Sequence, residues 1–181
     1  MKQRYLTAIV KVSLVALLAG CATSSTGVIV AIPGDLAVPA GQVLSLEAQA
    51  AGAQIYECKA NKDNQLRFEW VFKAPEAELF DRAGLSIGRH YAGPTWESDD
   101  GSKVVGEVRA KDSGPDPNAI PWLLLSAKAT SGDGVFSQIK SIQRLYTAGG
   151  TAPADGCNKA QDGKEMRVPY SAKYYFYIAR P

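Results

Sequence analysis

Apolar and polar positions alternate in short runs along the chain, and Gly or Pro punctuates most of the intervals between them. The plainest run is Val43–Ala50, with Val43, Ser45, Glu47 and Gln49 on one face and Leu44, Leu46, Ala48 and Ala50 on the other. A period of two marks a strand with one buried face. Further runs rich in β-branched and aromatic residues are 28–32, 54–59, 66–73, 103–110, 122–130, 135–147 and 172–178. With 17 Gly and 10 Pro among them, strands of this length and spacing predict an all-β fold, a single antiparallel sandwich or barrel-like domain with short helical turns.

Some segments need more than the period. Leu123–Thr130 is followed by Ser131-Gly132-Asp133-Gly134, and these glycines supply the positive φ that a tight hairpin requires. Phe136, Ile139 and Ile142 are spaced by three, as on a helix face, but the β-branched content of 135–146 favours a strand with a bulge. Ala74–Phe80 opens on Pro75 and reads as a single helical turn. No internal repeat or coiled-coil heptad occurs.

The N-terminus breaks the pattern. Lys2 and Arg4 precede a nearly continuous apolar stretch from Leu6 to Ala19, which ends in Leu18-Ala19-Gly20-Cys21. A positive start, a short apolar stretch and small residues before a cleavage point form an export signal. The stretch is short for a span, which needs roughly 20 apolar residues. Leu-Ala-Gly-Cys matches a lipobox, so Cys21 is expected to be lipidated and to become the first residue of the mature chain. Residues 1–20 are then a signal peptide and 21–34 the lipidated Cys and tether, with the all-β domain at 35–181. Ala22, where an Asp would retain the protein at the inner membrane by the enterobacterial sorting rule, points to the outer membrane. Acyl chains contribute about 0.8 kcal/mol per buried methylene, so this anchor needs no amphipathic helix in the domain.

The leader also changes the charge. Lys2, Arg4 and Lys11 are its only charged residues, and without them 17 basic and 18 acidic side chains give a formal net charge of −1. No polybasic run remains, so no nucleic-acid partner is expected. Membrane contact is assigned to the lipid on Cys21, and a small ligand, glycan or envelope protein is the candidate partner. Cys58 and Cys157 are the two remaining thiols. In an exported chain, with no Cys-x-x-C spacing and no neighbouring His, they most simply form one disulfide.

Several segments carry a resemblance. They include Gln54-Ile55-Tyr56-Glu57-Cys58, Trp70–Ala77, His90-Tyr91-Ala92-Gly93-Pro94-Thr95-Trp96-Glu97 and Asp100-Gly101-Ser102. Ile120–Leu125, Ile142-Gln143-Arg144, Gly156-Cys157 and Arg167-Val168-Pro169-Tyr170 continue it. In this order they resemble the family catalogued as domain of unknown function 3455, over about residues 35–179. The resemblance implies no activity. Some fungal relatives carry a malate-dehydrogenase label, but this chain has no Gly-x-Gly-x-x-Gly after a strand and no β-α alternation. No cofactor is implied.

His90 is the only histidine, and Tyr91, Glu97, Asp99 and Asp100 lie within ten residues of it. A hairpin turning at Gly93-Pro94 would set His90 opposite Glu97, as a general base with its carboxylate, a weak metal pair, or merely a hydrogen bond fixing the hairpin. With one histidine, neither a facial triad nor a copper centre can be built, and no metal site is assigned. No Gly-x-Ser-x-Gly is present. Trp96, flanked by Thr95 and Glu97, is expected to be partly exposed, whereas Trp70 and Trp122 are expected in the core. The run Tyr174–Tyr177 must place aromatics on both faces of its strand. Asp112–Asn118 reads as a rigid acidic loop, more simply solvated than functional. The resulting expectation is a ligand-binding centre at His90, Tyr91, Trp96 and Glu97, with no catalytic residue assigned. The alternative is a hydrolytic or metal-assisted enzyme using His90 with Glu97.

Overall fold

The computed structural model describes residues 31–181. The expected signal peptide, Cys21 and most of the tether lie outside the described residues. Eight strands follow one another: β1 (Gln42–Ala60), β2 (Phe68–Phe80), β3 (Ser86–Tyr91), β4 (Thr95–Ser98), β5 (Lys103–Asp112), β6 (Trp122–Ser131), β7 (Ile139–Gly149) and β8 (Glu165–Ala179). Each pairs antiparallel with the next, and β8 returns to β1 to close the barrel. Closure leaves no free sheet edge. The all-β expectation is met, as a barrel.

Alternation sets the inside. On β8, Tyr170, Ala172, Tyr174 and Phe176 are buried inward, which leaves Tyr175 and Tyr177 on the outer wall. On β1, Ala48 and Ala50 are buried, but a register shift between Leu44 and Leu46 breaks the alternation and leaves Leu44 exposed. Residues 43–50 and 54–59 belong to one strand rather than two. Gly52, expected to be a break, is instead a point of close approach: a Cβ there would collide with the Glu76 carbonyl and with Ala77. Ala74–Phe80 is strand, not a helical turn. Pro75, Ala77 and Leu79 face inward while Glu76 and Glu78 are exposed, and this alternation decides over the proline. Residues 135–138 form a turn, and the bulged strand expected there begins at Ile139. Residues 31 and 32, at the end of the expected run 28–32, are not in a strand.

The two ends of the barrel differ. At one end the connection between β6 and β7 inserts the fully buried Phe136 beneath Phe176, with ring centroids 4.7 Å apart. The Phe136 N–H donates to Ser102 Oγ at 3.0 Å. Asp100 accepts from Ser102 Oγ at 2.6 Å and from the Val135 N–H at 2.9 Å, and these bonds, the Ser102 hydroxyl foremost, hold its carboxyl at about 2. Phe136, Ile139, Ile142, Leu79 and Val104 fill this half as the main core.

The other end carries the Gly93-Pro94 turn and the longer connections. A Cys58–Cys157 disulfide, with Cα atoms 5.4 Å apart, ties the 150–164 connection to the end of β1 as expected. Trp70 is not core: it lies on the outer surface, and its Nε1–H donates to the Asp155 carbonyl at 2.9 Å. Outside the barrel, Leu36 of a 3-10 turn (Gly34–Leu36) covers Trp122, Leu124 and Leu145 in a second apolar cluster. The Gln143 amide nitrogen donates to the Leu36 carbonyl at 2.6 Å. Trp122 is buried as expected, but here rather than in the barrel.

Candidate functional site

The unplugged half of the barrel is a cup. Its cavity of about 350 Å³ lies at the small end of the range for ligand sites. An eight-stranded barrel is just wide enough either to fill with side chains or to hold one small ligand. Here both occur, one at each end. Phe72, Val108, Ile120, Pro121, Leu123 and Leu125 supply apolar walls, and Phe72 and Val108 are about half exposed at the mouth.

The β3–β4 hairpin supplies the floor. Three residues, Ala92-Gly93-Pro94, separate the paired Tyr91 and Thr95. A two-residue turn at Gly93-Pro94 would pair His90 with Glu97; the extra loop residue slips the register by one, pairing His90 with Trp96 and Arg89 with Glu97. In a strand a one-residue slip reverses the face each side chain occupies. His90 and Trp96 therefore point into the barrel, buried to 2% and 1% exposure, while Tyr91 and Glu97 lie on the outer wall. The four expected site residues do not form one site, and His90 and Glu97 are not opposed. Trp96 is not partly exposed. Gly106 makes room for it, since a Cβ there would stand 2.9 Å from the indole ring.

His90 stacks on Trp96, with ring centroids 4.3 Å apart and planes within 11°. Its Nδ1 lies 2.9 Å from the Thr95 carbonyl, an acceptor only, so Nδ1 carries the proton and Nε2 keeps its lone pair. Burial pushes the imidazole down to about 3, against the Thr95 hydrogen bond and with help from Arg144, so the ring is neutral near pH 7. On the outer wall Glu97 accepts from Tyr91 at 2.8 Å and from Arg89 at 2.9 Å, and Lys103 stands 3.3 Å away. These contacts, Tyr91 first, lower the Glu97 pKa, and the same bond raises that of Tyr91. A carboxylate so engaged is a structural knot rather than a free base. Among the described residues, no group of three or more His, Cys, Asp or Glu side chains could hold a metal ion.

The sequence reading missed the rest of the cup. Gln54 on β1, Arg144 on β7 and Tyr174 on β8 line the cavity beside His90 and Trp96. Gln54 Nε2, Trp96 Nε1 and the hydroxyls of Tyr170 and Tyr174 are buried and make no hydrogen bond among the described residues. The two hydroxyls lie near each other and near Arg144 without a bond of good geometry, and burial raises the pKa of both. Orphaned polar atoms are rare in folded proteins, and three of these four belong to residues that line the cavity, Tyr170 being the exception. Tyr56 is the contrast, since its hydroxyl donates to the Gly150 carbonyl at 2.6 Å. Arg144 directs Nε and one Nη to the Pro121 carbonyl at 3.1 and 2.8 Å, steadying the rim.

A family model described as "Protein of unknown function (DUF3455)" matches residues 39–178. The chain belongs to this family. No curated protein and no solved structure matches it. The DUF3455 match takes in the whole of β1 to β7 and all but the last residue of β8, so every residue of the cup falls within it. Of the outer cluster, Leu36 and Val38 precede the match and the rest lies within it.

Proposed function

We propose that this protein is a lipid-anchored protein of the cell envelope whose barrel cup binds one small, largely apolar molecule. The observation that carries this reading is a largely apolar cavity lined by Arg144 and by three residues with orphaned polar atoms, Gln54, Trp96 and Tyr174. Burying a polar group without a partner costs about 1–3 kcal/mol. A chain that keeps Gln54, Trp96 and Tyr174 there retains them for something that satisfies them. A binding role asks nothing of Glu97 and needs only a neutral His90, which its burial provides.

A thermal-shift screen of the full chain against small aromatic and aliphatic molecules of about ten to fifteen heavy atoms tests the binding role. A ligand of the folded state raises stability as RT ln(1 + [L]/Kd), so the melting temperature must climb with concentration. Val108→Trp enlarges a half-exposed wall residue at the mouth and should abolish the shift while the protein stays folded. Shifts that persist in Val108→Trp would place binding elsewhere and refute the reading. The anchor is tested separately. Cys21→Ser should abolish incorporation of labelled palmitate and release the protein from the outer-membrane fraction, and retention of both in the variant would refute it.

A further inference from the structure

We propose that the cup's occupant carries a carboxylate, seated against Arg144 and hydrogen-bonded by the Gln54 amide, the Trp96 indole and the Tyr174 hydroxyl. This deepens the binding reading and rests on it. Most polar groups on the walls can donate, with His90 Nε2 and the Gln54 amide oxygen as acceptors among them. An indole N–H and an amide nitrogen can only donate, and a guanidinium only donates and is always charged. Among these atoms, Gln54 Nε2, Trp96 Nε1 and the Tyr174 hydroxyl are buried and unbonded. A partner with acceptor oxygens answers the larger number of these groups.

Charge narrows the class. Among the described residues, no Asp or Glu lines the cup. Arg144 is half-buried and forms no ion pair with any described residue. Its strand partner on β8 is Tyr174, which places guanidinium and hydroxyl side by side on the inner face. Lys73, the other cation at the cavity, is held on the rim by Glu165 and Glu57. One uncompensated cation facing several donors matches a monoanion. A carboxylate offers two oxygens to a guanidinium and keeps lone pairs for further donors. A phosphate dianion would bury a second charge with nothing to balance it. The apolar walls and the volume of about 350 Å³ take the rest of the molecule, a small aromatic or short aliphatic body.

Isothermal titration of the full chain with four naphthalene derivatives tests this: 2-naphthoate, 2-naphthalenemethanol, 2-naphthylmethylamine and 2-naphthyl phosphate. The apolar body is constant and only the head group varies. Naphthoate is expected to bind at least tenfold more tightly than the alcohol and the phosphate, with the amine weakest. Arg144→Met should erase the difference between naphthoate and alcohol. Because Arg144 also fastens Pro121, Tyr174→Phe serves as a second variant that removes one oxygen, and it should weaken naphthoate several-fold. Equal binding of alcohol and carboxylate, tighter binding of the phosphate, or a naphthoate preference that survives Arg144→Met would each overturn the carboxylate and leave the binding role standing. Failure of all four probes to bind folded protein would overturn both.

Discussion

Two tyrosines in the cup make opposite predictions for one chemical change. Tyr56 and Tyr174 are both buried and both line the cavity, but only the Tyr56 hydroxyl has a partner, the Gly150 carbonyl at 2.6 Å. Tyr→Phe removes the same atom at each position. At Tyr56 it deletes a buried hydrogen bond and strips Gly150 of its donor, which should cost about 1–3 kcal/mol. At Tyr174 it deletes a buried hydroxyl that lies near Tyr170 and Arg144 without a bond of good geometry. The ring keeps its edge contacts with Trp96 and His90, at centroid distances of 5.3 and 5.2 Å. Tyr174→Phe should therefore be no less stable than the parent, and more stable by up to about 1–3 kcal/mol.

Guanidinium denaturation of the oxidised full chain near pH 7 measures both variants. Equal m-values would show that only stability has changed. For a domain of this size, 1 kcal/mol moves the melting temperature by roughly 2–4 °C, so the two variants should separate clearly on opposite sides of the parent. Saturation with 2-naphthoate should then stabilise the parent more than Tyr174→Phe. A loss of 1 kcal/mol or more in empty Tyr174→Phe would refute the reasoning, because the hydroxyl would have to be bonded already. The donors of the cup would then be satisfied without an occupant.

Three further outcomes are expected. His90 is held neutral with its pKa at about 3, below the usual 6.5, so under pH 6.5 the unfolded chain binds a proton that the folded one refuses. Its contribution is complete above pH 6.5 and is lost at about 1.4 kcal/mol per unit as the pH falls toward 3. His90→Phe should flatten the acid limb of a stability–pH profile, and an unchanged slope would show that other groups set it. Reduction, or Cys58→Ala with Cys157→Ala, opens a disulfide of sequence separation 99 and should cost about 2–5 kcal/mol in denaturant, more than loss of local contacts alone would give. Gly52→Ala must push β1 away from the backbone of β2, so a cost of at least about 1–3 kcal/mol is expected, and a neutral variant would contradict the observed strand approach.

The fold was legible wherever alternation is local. β5 and β6 fall within two residues of their expected bounds, β8 starts at Glu165, ahead of its expected run from 172, and Cys58 and Cys157 pair as expected. Misreadings came where one strong local signal spoke against the period. Pro75 outweighed the alternation of Ala77 and Leu79 with Glu76 and Glu78, although a proline can sit in a strand where its missing N–H breaks no ladder bond. Gly52 read as a break because glycine usually is one, whereas here it lets two backbones touch.

The site was harder to read for a physical reason. Its residues come from all eight strands, and only closure of β8 on β1 brings them around one cavity. Hairpin register added a second obstacle, since the single residue Ala92 decides whether His90 looks toward Trp96 or Glu97. Yet one signal was in the chain. Arg144 stands two residues from the fully buried Ile142, at the parity that points into the core, and Tyr174 shares its parity with Phe176. A charge on the core parity needs acceptors, and Arg144 has the Pro121 carbonyl. The described residues supply no carboxylate to Arg144. That mismatch between parity and polarity makes Arg144 the residue whose substitution tells most about what this barrel holds.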